Sequence, residues 1–136
     1  MREIKFRAQN ADGLWQYGSL VQNKCENEKG EFTVSFIAPN LPCAAEAHDL
    51  WTARMFRVNP ETVCQFTGLY DSKGREIYDG DLFRLGEYII KVVYETENAS
   101  FALRMINDDL WRLPLDKTFC RDYEVIGNIF DNPELL

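Results

Sequence analysis

Apolar and polar residues alternate along much of this chain, with the period of two that is typical of β-strands having one buried face. In the first part of the chain the alternation predicts strands over residues 4–8, 14–21 and 31–37. A hairpin connection at 9–13 and a polar turn region at 23–30 separate these strands. We therefore expect a three-stranded antiparallel meander.

The alternating pattern returns after residue 59 and continues almost to the end of the chain. The strands it predicts are 62–67, 87–94, 101–105, 110–113 and 122–130. The signal is strongest at 87–94, because β-branched and aromatic residues are concentrated there. Turns are expected at 95–100 and 107–109.

The stretch from Gly68 to Phe83 contains two tight reversals, at Asp71–Gly74 and at Asp79–Asp81. Both contain residues that bond their own backbone or tolerate positive φ, and short apolar pieces flank them. A chain that turns twice in so short a distance is typical of small barrels and sandwiches. This stretch bears on the fold and not on the chemistry.

The segment between residues 39 and 58 breaks the pattern. Prolines and small residues predict a loop from Pro39 to Asp49 that carries one helical turn. Asp49 is placed to cap a short helix over 50–56, although residues 55–58 suit a strand equally well. Both alternatives remain open, and Asn59 with Pro60 ends whichever element precedes them.

Composition limits the class of protein. The chain has 136 residues, of which 46% are apolar, so it suits one domain or two small lobes. Its formal charge of −7 disfavours contact with nucleic-acid phosphates or anionic lipid. No signal peptide or membrane span is expected from the charged, alternating start at Met1–Phe6, so we expect a cytoplasmic protein.

The four cysteines, Cys25, Cys43, Cys64 and Cys120, form no C-x-x-C pair. Metal sites usually draw cysteine ligands in close pairs, so a structural zinc site is not expected. Free and mostly buried thiols are the expectation for a reducing compartment.

Several short motifs span the whole chain: residues 2–8 (REIKFRA), 15–20 (WQYGSL), 60–69 (PETVCQFTGL), 76–81 (EIYDGD) and 123–136 (YEVIGNIFDNPELL). In sequence and in order these motifs resemble the YopX family. Cys64 stands where the family motif has glycine, and residues 24–59 carry no family signature.

The resemblance implies a small protein of bacteriophage or prophage origin, from a family without an assigned activity. It implies a mainly β fold of antiparallel strands in small barrels or meanders, with at most one short helix. Two lobes are expected: a β meander with its loop over 1–58, and an SH3-like barrel over 59–136.

Three carboxylates near one turn, Glu76, Asp79 and Asp81, raise the hypothesis of a metal site. The alternative is that the aspartates accept backbone N–H bonds and hold the turn. Metal sites with oxygen ligands need more donors than this tight turn can direct at one point. We therefore expect a structural role.

His48 is the one histidine, so an imidazole base must be this residue. A nucleophile pair with Cys43 is conceivable, but no catalytic signature surrounds it, and a solvated loop histidine is the favoured interpretation. No phosphate-binding loop or nucleophile elbow is present. No catalytic residue, metal or cofactor is assigned.

Aromatic side chains could stack nucleic-acid bases: Trp15, Tyr17, Trp51, Trp111 and Tyr123. Such a platform needs a basic groove beside it. Lys and Arg are scattered singly along the sequence, with Arg54 and Arg57 the nearest thing to a cluster. Packing in a core or interface is the favoured interpretation.

The first functional hypothesis is therefore a non-enzymatic accessory protein that contacts a host or phage protein and itself. The alternatives are a nucleic-acid-binding module, which a contiguous basic stripe would favour, and an uncharacterised enzyme. A homo-oligomer, by default a dimer, is expected from the apolar face of the first strand, treated as an edge strand, and from apolar residues near the C-terminus. These residues are Ile4, Phe6 and Ala8, with Val125, Ile126, Ile129, Phe130, Leu135 and Leu136.

Overall fold

The computed structural model describes residues 3–39 and 55–136, and these residues are mainly β-strand in antiparallel sheets. The described chain divides into two compact units, Glu3–Gln65 and Phe66–Leu136. The predicted mainly β, antiparallel fold is confirmed.

The first unit is the predicted meander with two added strands. Its strands are β1 (Phe6–Gln9), β2 (Trp15–Asn27), β3 (Gly30–Pro39), β4 (Phe56–Val58) and the start of β5 (Cys64–Tyr70). They lie in the order β4-β3-β2-β1-β5, and every pair is antiparallel. A 3₁₀ helix at Pro60–Thr62 precedes β5.

The hairpin of β2 and β3 is longer than predicted. Residues 23–26, expected in a turn, continue β2, and Glu28 with Lys29 make a two-residue turn. Lys24 and Glu26 lie on one face of the ribbon, while Asn23 and Cys25 lie on the other, opposite Val34 and Phe32. The turn begins where Asn27 Oδ1 accepts the Lys29 N–H at 2.8 Å.

The core of this unit lies on one face of its sheet. Ala8, Ile37 and Val58 are buried there, with Phe6, Leu20 and Val63 packed against them. β1 pairs with β2 on one side and β5 on the other, so treating it as an edge strand was wrong. Of its predicted apolar face, Ala8 belongs to the core and Ile4, before the strand, is exposed.

The second unit contains a five-stranded sheet in the order β10-β9-β8-β7-β11. The strands of this sheet are β7 (Asp81–Leu85), β8 (Tyr88–Glu95), β9 (Ser100–Met105), β10 (Asp108–Pro114) and β11 (Gly127–Asn128). The unit also contains β6 (Glu76–Tyr78), which lies outside this sheet. β6 pairs with the later part of β5. Within the described residues the sheet does not close into a barrel, so the SH3-like barrel is not confirmed.

The one α-helix within residues 3–39 and 55–136 was not predicted. It is α1, at Lys117–Asp122, and the Asp116 carboxylate caps it by accepting the Phe119 N–H at 2.9 Å. The helix predicted over 50–56 lies almost wholly outside the described residues. Phe56–Val58 forms β4, as the alternative interpretation had it.

The predicted last strand, 122–130, is shorter than expected. Asp122 ends α1, and only Gly127 and Asn128 pair with β7. Residues 123–126 are held partly by backbone hydrogen bonds, from the Ser72 N–H to the Tyr123 carbonyl at 3.0 Å and from the Ile126 N–H to the Leu82 carbonyl at 2.9 Å. Side chains from the β5–β6 turn bind Val125 between them. A second 3₁₀ helix, Pro133–Leu135, follows.

The core of the second unit lies between its sheet and α1. The buried residues are Ile77, Phe83, Ile90, Val92, Leu103, Phe119 and Cys120. The Phe119 ring stacks on Tyr123 with 4.4 Å between ring centroids and meets Phe83 edge-on at 5.3 Å. α1 therefore closes this core through an aromatic cluster.

The Asp71 side chain connects the β5–β6 turn to residues 123–125 by hydrogen bonds. Its buried carboxylate accepts the N–H groups of Lys73, Arg75 and Val125, each at 2.9 Å. Arg75 also donates to Asp71 through Nε at 3.1 Å and to the Val125 carbonyl through Nη2 at 2.8 Å. Burial raises the pKa of Asp71, but these hydrogen bonds outweigh it and hold the pKa below the ordinary value.

Replacing Asp71 with alanine should lower the free energy of unfolding by about 2–3 kcal/mol, because several buried N–H groups lose their acceptor. Since the folded pKa is depressed, this contribution is present above the unfolded pKa and declines as pH falls through the folded pKa. Urea denaturation at pH 7 and pH 3 should therefore give a smaller difference between wild type and Asp71→Ala at pH 3. Asp122→Ala, at an exposed position, is the control, and an equal Asp71→Ala effect at both pH values would contradict this account.

Candidate functional site

The β2–β3 hairpin extends beyond the strands that flank it. β1 pairs with β2 only as far as Gly18, and β4 pairs with β3 only from Ser35 to Ile37. Residues 19–36, which we call the arm, are therefore mostly a two-stranded ribbon within the described part of the chain. A two-stranded ribbon alone is marginally stable in water, so the arm gains from any further packing.

The two faces of the arm differ in chemistry. One face, which we call the apolar face of the arm, carries Val21, Cys25, Phe32, Val34 and Phe36, with the polar Asn23 opposite Val34. The other face pairs Gln22 with Ser35, Lys24 with Thr33 and Glu26 with Glu31. Alternation follows from the strand register, since successive side chains point to opposite faces.

The apolar face of the arm lies on the side of the sheet opposite the core of the first unit. Leu20 and Ile37 belong to that core and pair with each other. By register they lie on the same face of the sheet as the polar residues of the arm. Val21 is 37% exposed and Phe32 is 41% exposed. Cys25, Val34 and Phe36 on the same face are half-buried. Exposed apolar side chains grouped on one face are typical of an interaction site.

A second feature is a row of basic residues across the second unit. Lys91 on β8 pairs with Arg104 on β9, and Arg104 pairs with Arg112 on β10. This row could not be predicted from the sequence, because the three residues are far apart along the chain and only the strand register aligns them. A cleft of about 540 Å³ lies beside it.

Glu95 balances part of this positive charge. Its carboxylate accepts the Arg112 Nε–H at 2.6 Å and lies 4.0 Å from Arg104 Nη1. The hydrogen bond from Arg112 is the largest cause that holds the pKa of Glu95 below its ordinary value. Acidic residues Glu97, Asp108 and Asp109 also line the cleft. The row is thus part of a mixed-charge cluster rather than a purely basic groove.

The structure supports a structural role for the predicted turn carboxylates. Asp81 is buried and accepts the Tyr78 N–H at 2.8 Å, and Glu76 accepts the Tyr78 hydroxyl at 3.3 Å. Residues 3–39 and 55–136 contain no cluster of three or more histidine, cysteine and acidic side chains suited to a metal ion. Asp71, which accepts three backbone N–H groups and the Arg75 Nε–H, was expected only as a turn residue.

The cysteines differ in environment. Cys25 is half-buried on the arm, whereas Cys64 and Cys120 are buried, and none of the three forms a disulfide. Burial, and then the charges of Asp116 and Asp71, raise the pKa of Cys120 to about 11. Cys43 lies outside the described residues, as do His48, Trp51 and Arg54.

The aromatic residues proposed for base stacking separate into packed and surface positions. Trp111 and Tyr123 pack against the core of the second unit, as the packing interpretation predicts. The Arg7 guanidinium lies 4.6 Å from the ring centroid of Trp15. Tyr17 is exposed on β2.

A profile described as YopX protein matches residues 5–136. The chain belongs to the YopX family. The predicted resemblance is therefore confirmed over nearly the whole chain.

This YopX-family protein also resembles a solved structure, protein EF1440 from Enterococcus faecalis. The two share 20% sequence identity with a TM-score of 0.52, over 100% of this chain and 99% of the other. At that identity the likeness shows the fold alone. Comparison with curated protein sequences gives no match. Across the described ranges, no helix is long and apolar enough to cross a membrane.

The buried turn carboxylate gives a prediction that separates a structural role from a metal site. Asp81→Ala should lower the free energy of unfolding by about 1 kcal/mol or more, because the Tyr78 N–H loses its acceptor. Thermal unfolding of wild type with and without calcium or magnesium should give the same melting temperature. A melting temperature unchanged by the substitution, with loss of ion binding, would show a metal site instead.

Thiol reactivity gives a further prediction. Iodoacetamide at pH 8 should modify Cys25 at least about tenfold faster than Cys64 or Cys120, since the reactive thiolate is suppressed by burial. Peptide mapping by mass spectrometry after timed labelling measures each rate, and unfolding in urea should equalise them. Rapid labelling of Cys120 in the folded protein would refute the assigned burial.

Proposed function

We propose that this YopX-family protein is a non-enzymatic accessory protein of phage or prophage origin that acts in the cytoplasm of a bacterial host through protein contacts. The observation that carries the proposal is the apolar face of the arm. Its exposed Val21 and Phe32 lie on a ribbon that the sheet of the first unit does not use for its own core. Covering this face with a partner would remove apolar surface from water, which favours the complex by about 25 cal/mol for each Å² of apolar surface buried.

The polar groups of the molecule are consistent with this proposal. The carboxylates Asp71, Asp81 and Glu95 are engaged in hydrogen bonds that hold turns or strands. The pKa of Cys120 is raised, which opposes the thiolate that a nucleophile needs. These groups thus serve the fold, and the exposed apolar surface is left for recognition.

Affinity capture with matched variants tests the proposal. Phe32→Ser removes apolar surface from the arm, and Leu110→Ser does so at the 95% exposed Leu110 on β10. Wild type and Leu110→Ser should capture the same proteins from extracts of phage-bearing cells, and Phe32→Ser should not capture them. Treatment with nuclease should leave the captured proteins bound. Light scattering reports self-association of the same variants.

The proposal fails if Phe32→Ser, shown to be folded by circular dichroism, retains every partner and the self-association of wild type. Equal losses with Phe32→Ser and Leu110→Ser would show a general effect of exposed apolar residues. Release of all partners by nuclease would favour the second candidate function.

That second candidate is nucleic-acid binding through the row of Lys91, Arg104 and Arg112. The row is the kind of basic alignment that such binding uses, and it spans three adjacent strands. The formal charge of −7 and the carboxylates around the row oppose it. We therefore rank it below protein contact.

A fluorescence titration with single-stranded and duplex oligonucleotides measures this directly. We expect binding weaker than about 10 µM at physiological salt, because few phosphate contacts can form against the net negative charge. Sub-micromolar binding with a steep salt dependence, abolished by Arg104→Glu, would reverse the ranking.

A further inference from the structure

The free edge of β2 offers a pairing surface with a defined pattern. β1 covers β2 only to Gly18, and no described strand pairs with this edge from Ser19 to Asn27. An uncovered strand edge exposes backbone N–H and C=O groups that can pair with another strand.

The hairpin turn determines which backbone groups point outward. Asn27 and Gly30 close a two-residue turn and therefore form a hydrogen-bonded pair, so the odd-numbered residues of β2 bond to β3. The backbone N–H and C=O groups of the even-numbered residues point away from β3. The Leu14 carbonyl is an example, because it accepts the Asn10 N–H at 2.9 Å on that side. Gln22, Lys24 and Glu26 thus direct their backbone groups out of the free edge.

The charges on this edge are self-complementary in one antiparallel register. If Cys25 faces Cys25 of a second copy, Lys24 of each chain faces Glu26 of the other. Centring the pair on Lys24 or on Glu26 would place like charges opposite each other, and centring it on Asn23 would place Glu26 opposite Leu20. Opposite charges in directly facing positions stabilise antiparallel pairs, whereas like charges destabilise them.

Glu26 has a further reason to prefer a cation beside it. It already faces Glu31 across the hairpin, and both side chains are exposed. A lysine arriving on the free edge would offset this repulsion between two carboxylates. The register centred on Cys25 involves residues 22–28 only, and so stays clear of the part of β2 that β1 covers.

We propose that the arm pairs with the arm of a second copy, β2 against β2 and antiparallel, in the register centred on Cys25. This inference rests on the proposed function and names its partner as another copy of this chain. The pair of arms forms a four-stranded ribbon that places both apolar faces on the same side, which suits a ribbon that is marginal alone. The short paired segment makes a weak, reversible dimer.

Disulfide trapping with charge reversal tests the register. In a directly facing pair without hydrogen bonds the Cα atoms lie about 4.5 Å apart, which falls within the range that disulfides span. Diamide, which accepts two electrons and two protons per bond, should convert wild type at micromolar concentration to a dimer linked through Cys25. Cys25→Ser should abolish that product, as peptide mapping can verify.

The charge variants then report on the facing residues. Lys24→Glu or Glu26→Lys alone should slow trapping by about tenfold, because two attractive pairs become repulsive. The double variant Lys24→Glu/Glu26→Lys should restore the rate. Lys29→Glu, with the same charge change in the turn, is the matched control and should leave it nearly unchanged.

Equal trapping rates in all folded variants, no Cys25-linked dimer, or no rescue by the double variant would overturn the inference. The proposed function would survive that outcome if Phe32→Ser still released captured partners. Retention of those partners by Phe32→Ser, together with charge-dependent trapping, would instead support the dimer and contradict the broader proposal.

Discussion

The two-residue turn at Glu28 and Lys29 is the constraint on which the candidate site depends. It sets the register of β2 against β3, and a shift by one residue would move every side chain to the other face. With this register Leu20 and Ile37 join the core while Val21, Phe32 and Phe36 face away from it. The same turn determines which backbone groups of β2 are left on the free edge.

A different constraint governs the second unit, where a buried carboxylate supplements backbone hydrogen bonds. Tyr123 and Ile126 bond through their backbones to Ser72 and Leu82, and Asp71 with Arg75 binds Val125 between them. Because each unit has its own core and its own organising contact, the arm can carry exposed apolar residues without weakening either core. Stability and recognition therefore depend on different residues.

The sequence predicted the strands and the meander because alternation with a period of two is a local signal. It missed α1 because Lys117–Asp122 is too short for a helical period, although Asp116 three residues before Phe119 was a usable capping signal. It missed the full length of β2 because Asn23, Lys24 and Glu26 suggest a turn when read without their cross-strand partners. Only the pairing with β3 shows that Lys24 and Glu26 lie on the polar face of a strand, and that Asn23 lies opposite Val34 on the other face.

The candidate surfaces depend on register, which no local pattern supplies. Lys91, Arg104 and Arg112 become neighbours only through two strand pairings, and the apolar face of the arm only through the hairpin. By contrast, the structural role of Asp81 was predictable, since an aspartate beside a glycine turn commonly accepts backbone N–H bonds. Local turn chemistry could thus be read from sequence, and the interaction surface could not.

The central claim, that the arm is a contact surface for a second copy, is tested most directly by hydrogen exchange of single arm amides at several protein concentrations. The Lys24 and Glu26 N–H groups, which point out of the free edge, should exchange rapidly in dilute protein and become protected as concentration rises. The Asn23 and Cys25 N–H groups, which bond to β3, should exchange more slowly throughout. Exchange of Lys24 and Glu26 that is independent of concentration would contradict the account.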